Sequence, residues 1–147
     1  KKLKDFNILT DNIEEEAMYD IFYCMNPRQV LEISENKLFE IGSHMQSHPN
    51  INKCSEKKII NELNQSKLFL EKIIKKEVRL FCYPSGIYNR RSIELVKDAG
   101  YKAAFAEQSI FDKKSIFEIP RIGIYNSDKH YLNMKLSPIS SFCMKSS

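Results

Sequence analysis

Several features that would settle a function at once are missing from these 147 residues. No two cysteines form a Cys-x-x-Cys pair: Cys24, Cys54, Cys82 and Cys143 are spread along the chain, which leaves a zinc ribbon or a thioredoxin-like redox site without support. The even count permits disulfides without arguing for them. No apolar run approaches the roughly 18 residues that a membrane-spanning helix needs. No long block of one charge sign stands out either: Lys and Arg alternate with Asp and Glu through most of the chain, for a net charge of +4. The densest basic cluster, Lys72 to Lys76, has the helical spacing of a solvated face, so no nucleic-acid partner is expected. Internal repeats and low-complexity segments are absent. The chain opens Lys1-Lys2-Leu3-Lys4, without an initiator methionine or a signal-peptide pattern, and a processed or truncated chain is the expectation. Nowhere do two aspartates stand side by side.

What is present suits one globular domain over residues 1–147, since 42% of the residues are apolar and 11% aromatic, enough for a core. The run "FNIL" (6–9) reads as a strand ended by Thr10-Asp11-Asn12, and "IEEEAMYDIFY" (13–23) as a helix. Asn26-Pro27 marks the next helix start, with Asn as N-cap and Pro at the first helical position. "LFEIGSH" (38–44) is a strand running into a Gly-Ser turn, and Ser55 caps a long amphipathic helix reaching about Lys76. "VRLFCYP" (78–84) is a strand stopped by Pro84, and Arg91 to Ala99 is a helix closed by Gly100. "YKAAFAE" (101–107) and "FEIPRIGIY" (117–125) are further strands. This alternation predicts an α/β fold with mostly parallel strands, in which functional groups gather at the C-terminal ends of the strands.

Two of the three histidines follow such an end, in "EIGSHMQSHPNI" (40–51). His44 and His48 are four apart, but the Glu that follows the first His in a helical protease motif is Met45 here, and Pro49 disfavours a helical His48. An ordered loop leaving a strand fits better. By spacing alone the pair is compatible with one metal site or with two incidental imidazoles.

The surrounding residues resemble the polysaccharide deacetylase family, the NodB-homology deacetylases, whose second motif reads roughly E-I-G-S-H-T-x-[ST]-H-P-[DN]-L. "NPRQVLEISENKLFEIGSH" is similar to the family's helix-then-strand approach to that motif. "LFCYPSGIYNRRSIELVKDAGYKAAFAE" is similar to its third-motif region, and "IPRIGI" to a later P-R-I element. The resemblance covers about residues 25–126. It implies a distorted (β/α) barrel, incomplete at its N-terminus, that hydrolyses N-acetyl groups from an N-acetylhexosamine-containing polysaccharide or glycan. His44 and His48 would hold a divalent cation, with zinc the expected metal; such a cation lowers the pKa of bound water towards about 7 and polarises the acetamide oxygen.

In the same resemblance, Tyr83, Pro84, Ser85, Gly86 and Tyr88 would form the wall of the sugar groove, Tyr83 offering a ring face and a backbone N–H of the loop stabilising the oxyanion. Arg121 would orient a catalytic carboxylate, and Ser47 would hold the shape of the histidine loop. Met45 replaces the usual Thr or Ser, which predicts weaker support behind His44. His130, the only other histidine, is the candidate general acid, although "SDKHYL" does not match the family's last motif. The family's paired aspartates, "T-F-D-D", have no counterpart, and Asp11 in "ILTDN" is a faint candidate ligand. Three readings follow: an enzyme, part of whose site lies upstream; a carbohydrate-binding module without the carboxylates; or a plain α/β domain with an accidental histidine pair. The resemblance implies an extracytoplasmic or cell-envelope location.

Overall fold

A computed structural model describes residues 24–124 and 128–137. Two compact units are distinguished, Lys1–Glu40 and Ile41–Ser147. The expected strand 6–9, the helix 13–23 and Asp11 lie outside the described residues.

In the first unit, helix α1 (Pro27–Glu35) begins as its letters predict. Asn26 Oδ1 accepts the Gln29 N–H at 3.1 Å, and Gln29 Oε1 accepts the Asn26 N–H at 2.9 Å, so two donors at the open helix end satisfy each other's side chains. Beyond the helix a local turn consumes the next amides: Leu38 N–H goes to Asn36 Oδ1 at 3.0 Å and Phe39 N–H to the Asn36 carbonyl at 3.1 Å. The expected strand 38–44 therefore cannot start before residue 40, and Leu38 and Phe39 are exposed.

The second unit is built on a four-stranded sheet in the order β1 (Gly42–Ser43), β2 (Leu80–Cys82), β3 (Ala103–Ala106), β4 (Ile119–Pro120), with every neighbouring pair parallel. Helix α2 (Glu56–Ile74) joins β1 to β2 and helix α3 (Arg90–Asp98) joins β2 to β3, the crossover that parallel strands require. The α/β reading thus holds. Ser55 caps α2, and Asn89 with Ser92 forms a capping box on α3. Gly100 follows α3 with φ +85°, donating to the Lys97 carbonyl at 2.9 Å.

Val78, Phe81, Tyr83 and Tyr101 are fully or almost fully buried, together with Leu63 of α2 and Val96 of α3. Each such aliphatic or Phe side chain contributes roughly 1.5–3 kcal/mol by leaving water. The Phe81 ring packs against both Tyr83 and Tyr101, each at 5.2 Å between centroids. Two polar links tie α2 to the sheet: Ser43 Oγ to Ser66 Oγ at 2.6 Å, and the Tyr101 hydroxyl to the Leu63 carbonyl at 3.2 Å.

β4 is shorter than its letters: its ladder with β3 closes with the Arg121 N–H on the Ala106 carbonyl at 3.0 Å, and Pro120, whose missing N–H would face away from β3, sits there without cost. Helix α4 (Lys129–Leu136) was not foreseen. None of its residues is buried, so it has no apolar stripe to betray it; Asp128 Oδ1 caps it through the N–H groups of His130 and Tyr131.

Candidate active site at the strand ends

The C-terminal ends of the four strands bring together His44 after β1, Cys82 and Tyr83 at the end of β2, Glu107 after β3 and Arg121 after β4. His44 is exposed, and its Nδ1 lies 2.8 Å from the Cys82 carbonyl oxygen. A carbonyl only accepts, so Nδ1 carries the proton and Nε2 keeps its lone pair for a ligand. This backbone acceptor, unforeseen in the sequence, supplies the support that Met45 was expected to weaken. Met45 instead turns inward and is buried.

His48 is exposed as well, and its ring meets the His44 ring edge to face, with centroids 4.8 Å apart and planes at 71°. The loop between them is held from below by Glu62 of α2. Its Oε2 accepts the N–H groups of Gln46 at 2.9 Å and Ser47 at 2.8 Å, and its Oε1 accepts the Ser47 hydroxyl at 2.6 Å. Burial pushes the Glu62 carboxyl up, but the Ser47 hydroxyl, the two amides and the Lys58 charge outweigh it and hold it below the usual carboxylate range. The expectation that Ser47 fixes the loop is thus given a partner. Glu62 was missed, although it falls on the buried stripe of α2 with Ile59, Leu63 and Ser66, and a carboxylate on such a stripe was the available signal.

Residues 83–88 differ from the expectation. Tyr83 is fully buried and Tyr88 nearly so, stacked on one another at 4.6 Å and 20°, so neither presents an open ring face to a sugar. The family-derived platform fails at these two residues because Phe81, Tyr83 and Tyr88 complete the core instead. Burial pushes the Tyr88 hydroxyl up to about 12, helped by the Glu118 carboxylate it bonds to at 2.8 Å, and drives Tyr83 higher still. Pro84 is buried, whereas Ser85 is exposed and Gly86 partly so.

The loop's own N–H groups divide unequally. Tyr83 N–H goes to the Phe105 carbonyl, Gly86 N–H to Tyr83 and Ile87 N–H to Pro84, each at 3.0 Å. None of these bonds engages the N–H of Ser85 or of Tyr88, and of the two residues Ser85 is the exposed one. Ser85 has φ +53° and Gly86 φ +64°; a Cβ on Gly86 would stand 2.7 Å from the Glu107 Cγ. Met45 and His48 also have left-handed φ, at +63° and +52°. Three of the four such non-glycine residues among the described ones therefore lie in these two loops, where backbone strain of about 1–3 kcal/mol each commonly marks a functional site.

Arg121 is exposed beyond β4, its N–H on the Ala106 carbonyl at 3.0 Å, and its charge acts on the half-buried Cys82 thiol against that of Glu107. Burial is the larger influence and pushes that thiol up. His130 sits in the first turn of α4, and no hydrogen bond or ring contact among the described residues joins it to the histidine loop. A second buried carboxylate, Glu118, was also missed. It accepts the N–H groups of Ile110, Phe111 and Asp112 at 2.9–3.2 Å. Its place between Phe117 and Ile119 in a strand-like run was the clue.

The two imidazoles suit a divalent cation as part of a donor set: they are neighbours and one has its tautomer fixed with Nε2 open. No group of three or more His, Cys, Asp or Glu able to hold a metal exists among the described residues. Further ligands would have to come from outside them or from water.

The profile of the polysaccharide deacetylase family matches residues 5–104. The chain belongs to that family. Among curated relatives of this deacetylase-family chain, poly-beta-1,6-N-acetyl-D-glucosamine N-deacetylase of Staphylococcus aureus strain MRSA252 is 28% identical over 125 residues, which is 78% of this chain and 43% of the relative. The chain therefore spans less than half the length of that protein. The Streptococcus pyogenes deacetylase PplD, solved in complex with acetate, shares the fold with a TM-score of 0.69 at 20% identity, over 82% of this chain and 55% of PplD. BA3943 of Bacillus anthracis, described as a CE4 family pseudoenzyme, matches with a TM-score of 0.50 at 25% identity, over 54% of this chain and 28% of BA3943.

Proposed function

We propose that residues 1–147 form most of one metal-dependent carbohydrate N-deacetylase domain. His44 and His48 supply two ligands to a divalent cation, with zinc the expected metal, and the substrate is a polymer or glycan of N-acetylhexosamine. The observation that carries this reading is the His44 Nδ1 bond to the Cys82 carbonyl, which leaves Nε2 open beside a second imidazole at the ends of parallel strands. The cation, when bound, supplies Lewis acidity towards an acetamide oxygen. The chain's own residues do the rest. The Ser85 N–H, exposed in a left-handed turn, donates to the oxygen that gains charge as the amide carbon becomes tetrahedral. Arg121 places positive charge at the same rim, where a carboxylate from outside the described residues would be oriented. Ser85 and Gly86, with no open aromatic face, make a shallow wall for an uncharged sugar, and His130 remains a candidate acid only if α4 approaches the loop. An extracytoplasmic or envelope location follows from such a substrate; among the described residues no helix is long and apolar enough to cross a membrane.

A second reading has a specific observation in its favour. The sequence contains no Asp-Asp pair, and a structural neighbour is a pseudoenzyme, so a carbohydrate-binding module that keeps the histidine loop without turnover is the alternative.

Elemental analysis of the purified chain and of its His44→Ala/His48→Ala variant, with acetate release from a panel of acetylated sugars, tests both. The first reading expects about one divalent ion, lost in the variant. It expects acetate release only when upstream residues supplying paired carboxylates are present, because lack of a general base alone costs roughly 10²- to 10⁴-fold. Equal metal content in chain and variant removes the site. Sugar binding without acetate release, even with the upstream residues joined, selects the second reading.

A further inference from the structure

Glu62 is a carboxylate placed where carboxylates are rarely found, 7% exposed on the apolar stripe of α2. A buried charge is tolerated only when its oxygens are fully engaged. Here its three hydrogen bonds come from two adjacent residues: the amides of Gln46 and Ser47 and the Ser47 hydroxyl, directly before His48. The two amides can only donate; a carboxylate accepts them and the hydroxyl together, whereas a glutamine keeps the hydroxyl contact only by reversing it, its N–H₂ donating to Ser47 Oγ.

The loop needs such an anchor. Met45 and His48 on either side of the clamped pair hold left-handed backbone, a conformation that non-glycine residues keep only when their surroundings impose it. Met45 is anchored by its own burial; His48 is exposed and has no comparable packing. His44 is fixed from the opposite side by the Cys82 carbonyl. The 4.8 Å approach of the two rings therefore depends on β2 for one imidazole and on α2 for the other.

We propose that Glu62 is the positioning residue of the histidine pair, holding His48 against His44 through the backbone of Gln46 and Ser47. The inference rests on the reading of His44 and His48 as metal ligands and extends it to the helix behind them. A role confined to fastening α2 to the loop would change how easily the chain unfolds but not how tightly the folded chain binds a cation.

The test compares the chain with Glu62→Ala, Glu62→Gln, Ser47→Ala and the His44→Ala/His48→Ala double variant. Zinc affinity is measured by competition with a chromophoric chelator, and amide hydrogen exchange is followed at Gln46 and Ser47. Loss of the anchor behind a metal ligand is expected to weaken zinc about 10- to 100-fold in Glu62→Ala. Ser47→Ala, which loses one bond, is expected to weaken it about 3- to 10-fold, and Glu62→Gln, which reverses the hydroxyl bond and leaves both amides on a neutral oxygen, about 3-fold. Exchange at Gln46 and Ser47 should quicken in Glu62→Ala while Leu63 and Val96 stay protected. Unchanged zinc affinity in a folded Glu62→Ala, with only a lower melting temperature, overturns the proposal. Should Glu62→Ala fail to fold, unchanged affinity in both milder variants overturns it equally. If the chain and the double-histidine variant take up zinc alike, the metal reading is what fails; exchange at the two amides then still decides whether Glu62 orders the loop, and unaltered exchange overturns that too.

Discussion

Two loops at the strand ends are each fastened by a buried carboxylate, with different results. Glu62 takes the backbone of the loop after β1 and leaves both imidazoles facing solvent. Glu118 takes the amides of residues 110–112 in the loop after β3, whose side chains are exposed, and also the hydroxyl of Tyr88, which is buried and stacked on Tyr83. The device is the same: a negative charge whose burial is offset by several N–H and O–H donors. What differs is the hydroxyl each carboxylate takes besides the amides: Ser47 of the imidazole-bearing loop for Glu62, the core residue Tyr88 for Glu118. The first carboxylate orders a loop that displays its imidazoles and the second pins its loop to the packed core, so the first is where chemistry is expected and the second where stability resides.

The sharpest way to break this contrast is to remove the packing anchor. Glu118→Ala takes the acceptor from the Phe111 and Asp112 amides, while the Ile110 N–H keeps the Tyr88 oxygen and the Tyr88 hydroxyl keeps the Gln108 carbonyl; with unsatisfied donors costing about 1–3 kcal/mol each the loss should reach roughly 3 kcal/mol. The melting temperature should fall by about 10 °C on the scale of a few degrees per kcal/mol. Zinc affinity of the folded chain should stay as it was. Thermal unfolding by circular dichroism and a zinc titration on the same sample check both halves, and a large loss of affinity here would erase the distinction.

Gly86 lies in the loop after β2, and its missing Cβ admits the Glu107 side chain at the end of β3. Gly86→Ala should cost about 1–2 kcal/mol, partly from the positive φ and partly from the 2.7 Å approach to Glu107. Adding Glu107→Ala should return only the steric part, which denaturant unfolding of the two variants can separate. Full recovery would mean that the backbone at Gly86 is not strained.

Ser85→Gly is expected to raise stability by up to about 1 kcal/mol, since glycine accepts φ +53° without the penalty a serine carries. A decrease would show the exposed turn to be relaxed as it stands.

The smallest effect is a matter of pH. Tyr88 loses its proton at about 12 in the folded chain, against an ordinary value of 10.0. A raised value means that the folded state holds the proton more tightly, so the stability it contributes is complete below pH 10 and drains away as pH rises through about 12. Tyr88→Phe should flatten that part of the alkaline unfolding curve, while the delayed phenolate absorbance near pH 12 disappears.

The sequence was informative where one residue dictates one conformation. Asn26-Pro27, Ser55 and Gly100 mark their helix ends as capping chemistry requires, and the apolar run 78–84 contains the parallel strand Leu80–Cys82. The histidine loop was legible because its letters are rare together. What stayed hidden depends on tertiary contact. The Cys82 carbonyl is identical in kind to every other carbonyl in the chain, and Glu62 and Glu118 look like ordinary charges until the loops they bind are placed. Tyr83 and Tyr88 misled for the same reason: an aromatic ring beside a proline has the same letters whether it faces a sugar or another ring. β1 came out shorter than its apolar run since the turn at Asn36 takes the amides of Leu38 and Phe39.

The pairing of Ser43 with Phe81 in the β1–β2 ladder sets the next residue of each strand at the same height, which is what puts the His44 ring within reach of the Cys82 carbonyl. The sheet thus acts as a ruler for a proton: register between two strands selects which imidazole nitrogen carries it. A slip of one residue would turn His44 to the opposite face. Because the acceptor is main chain, no substitution of the Cys82 side chain deletes it. A substitution at residue 82 that leaves the two strands in register therefore leaves the tautomer as it is.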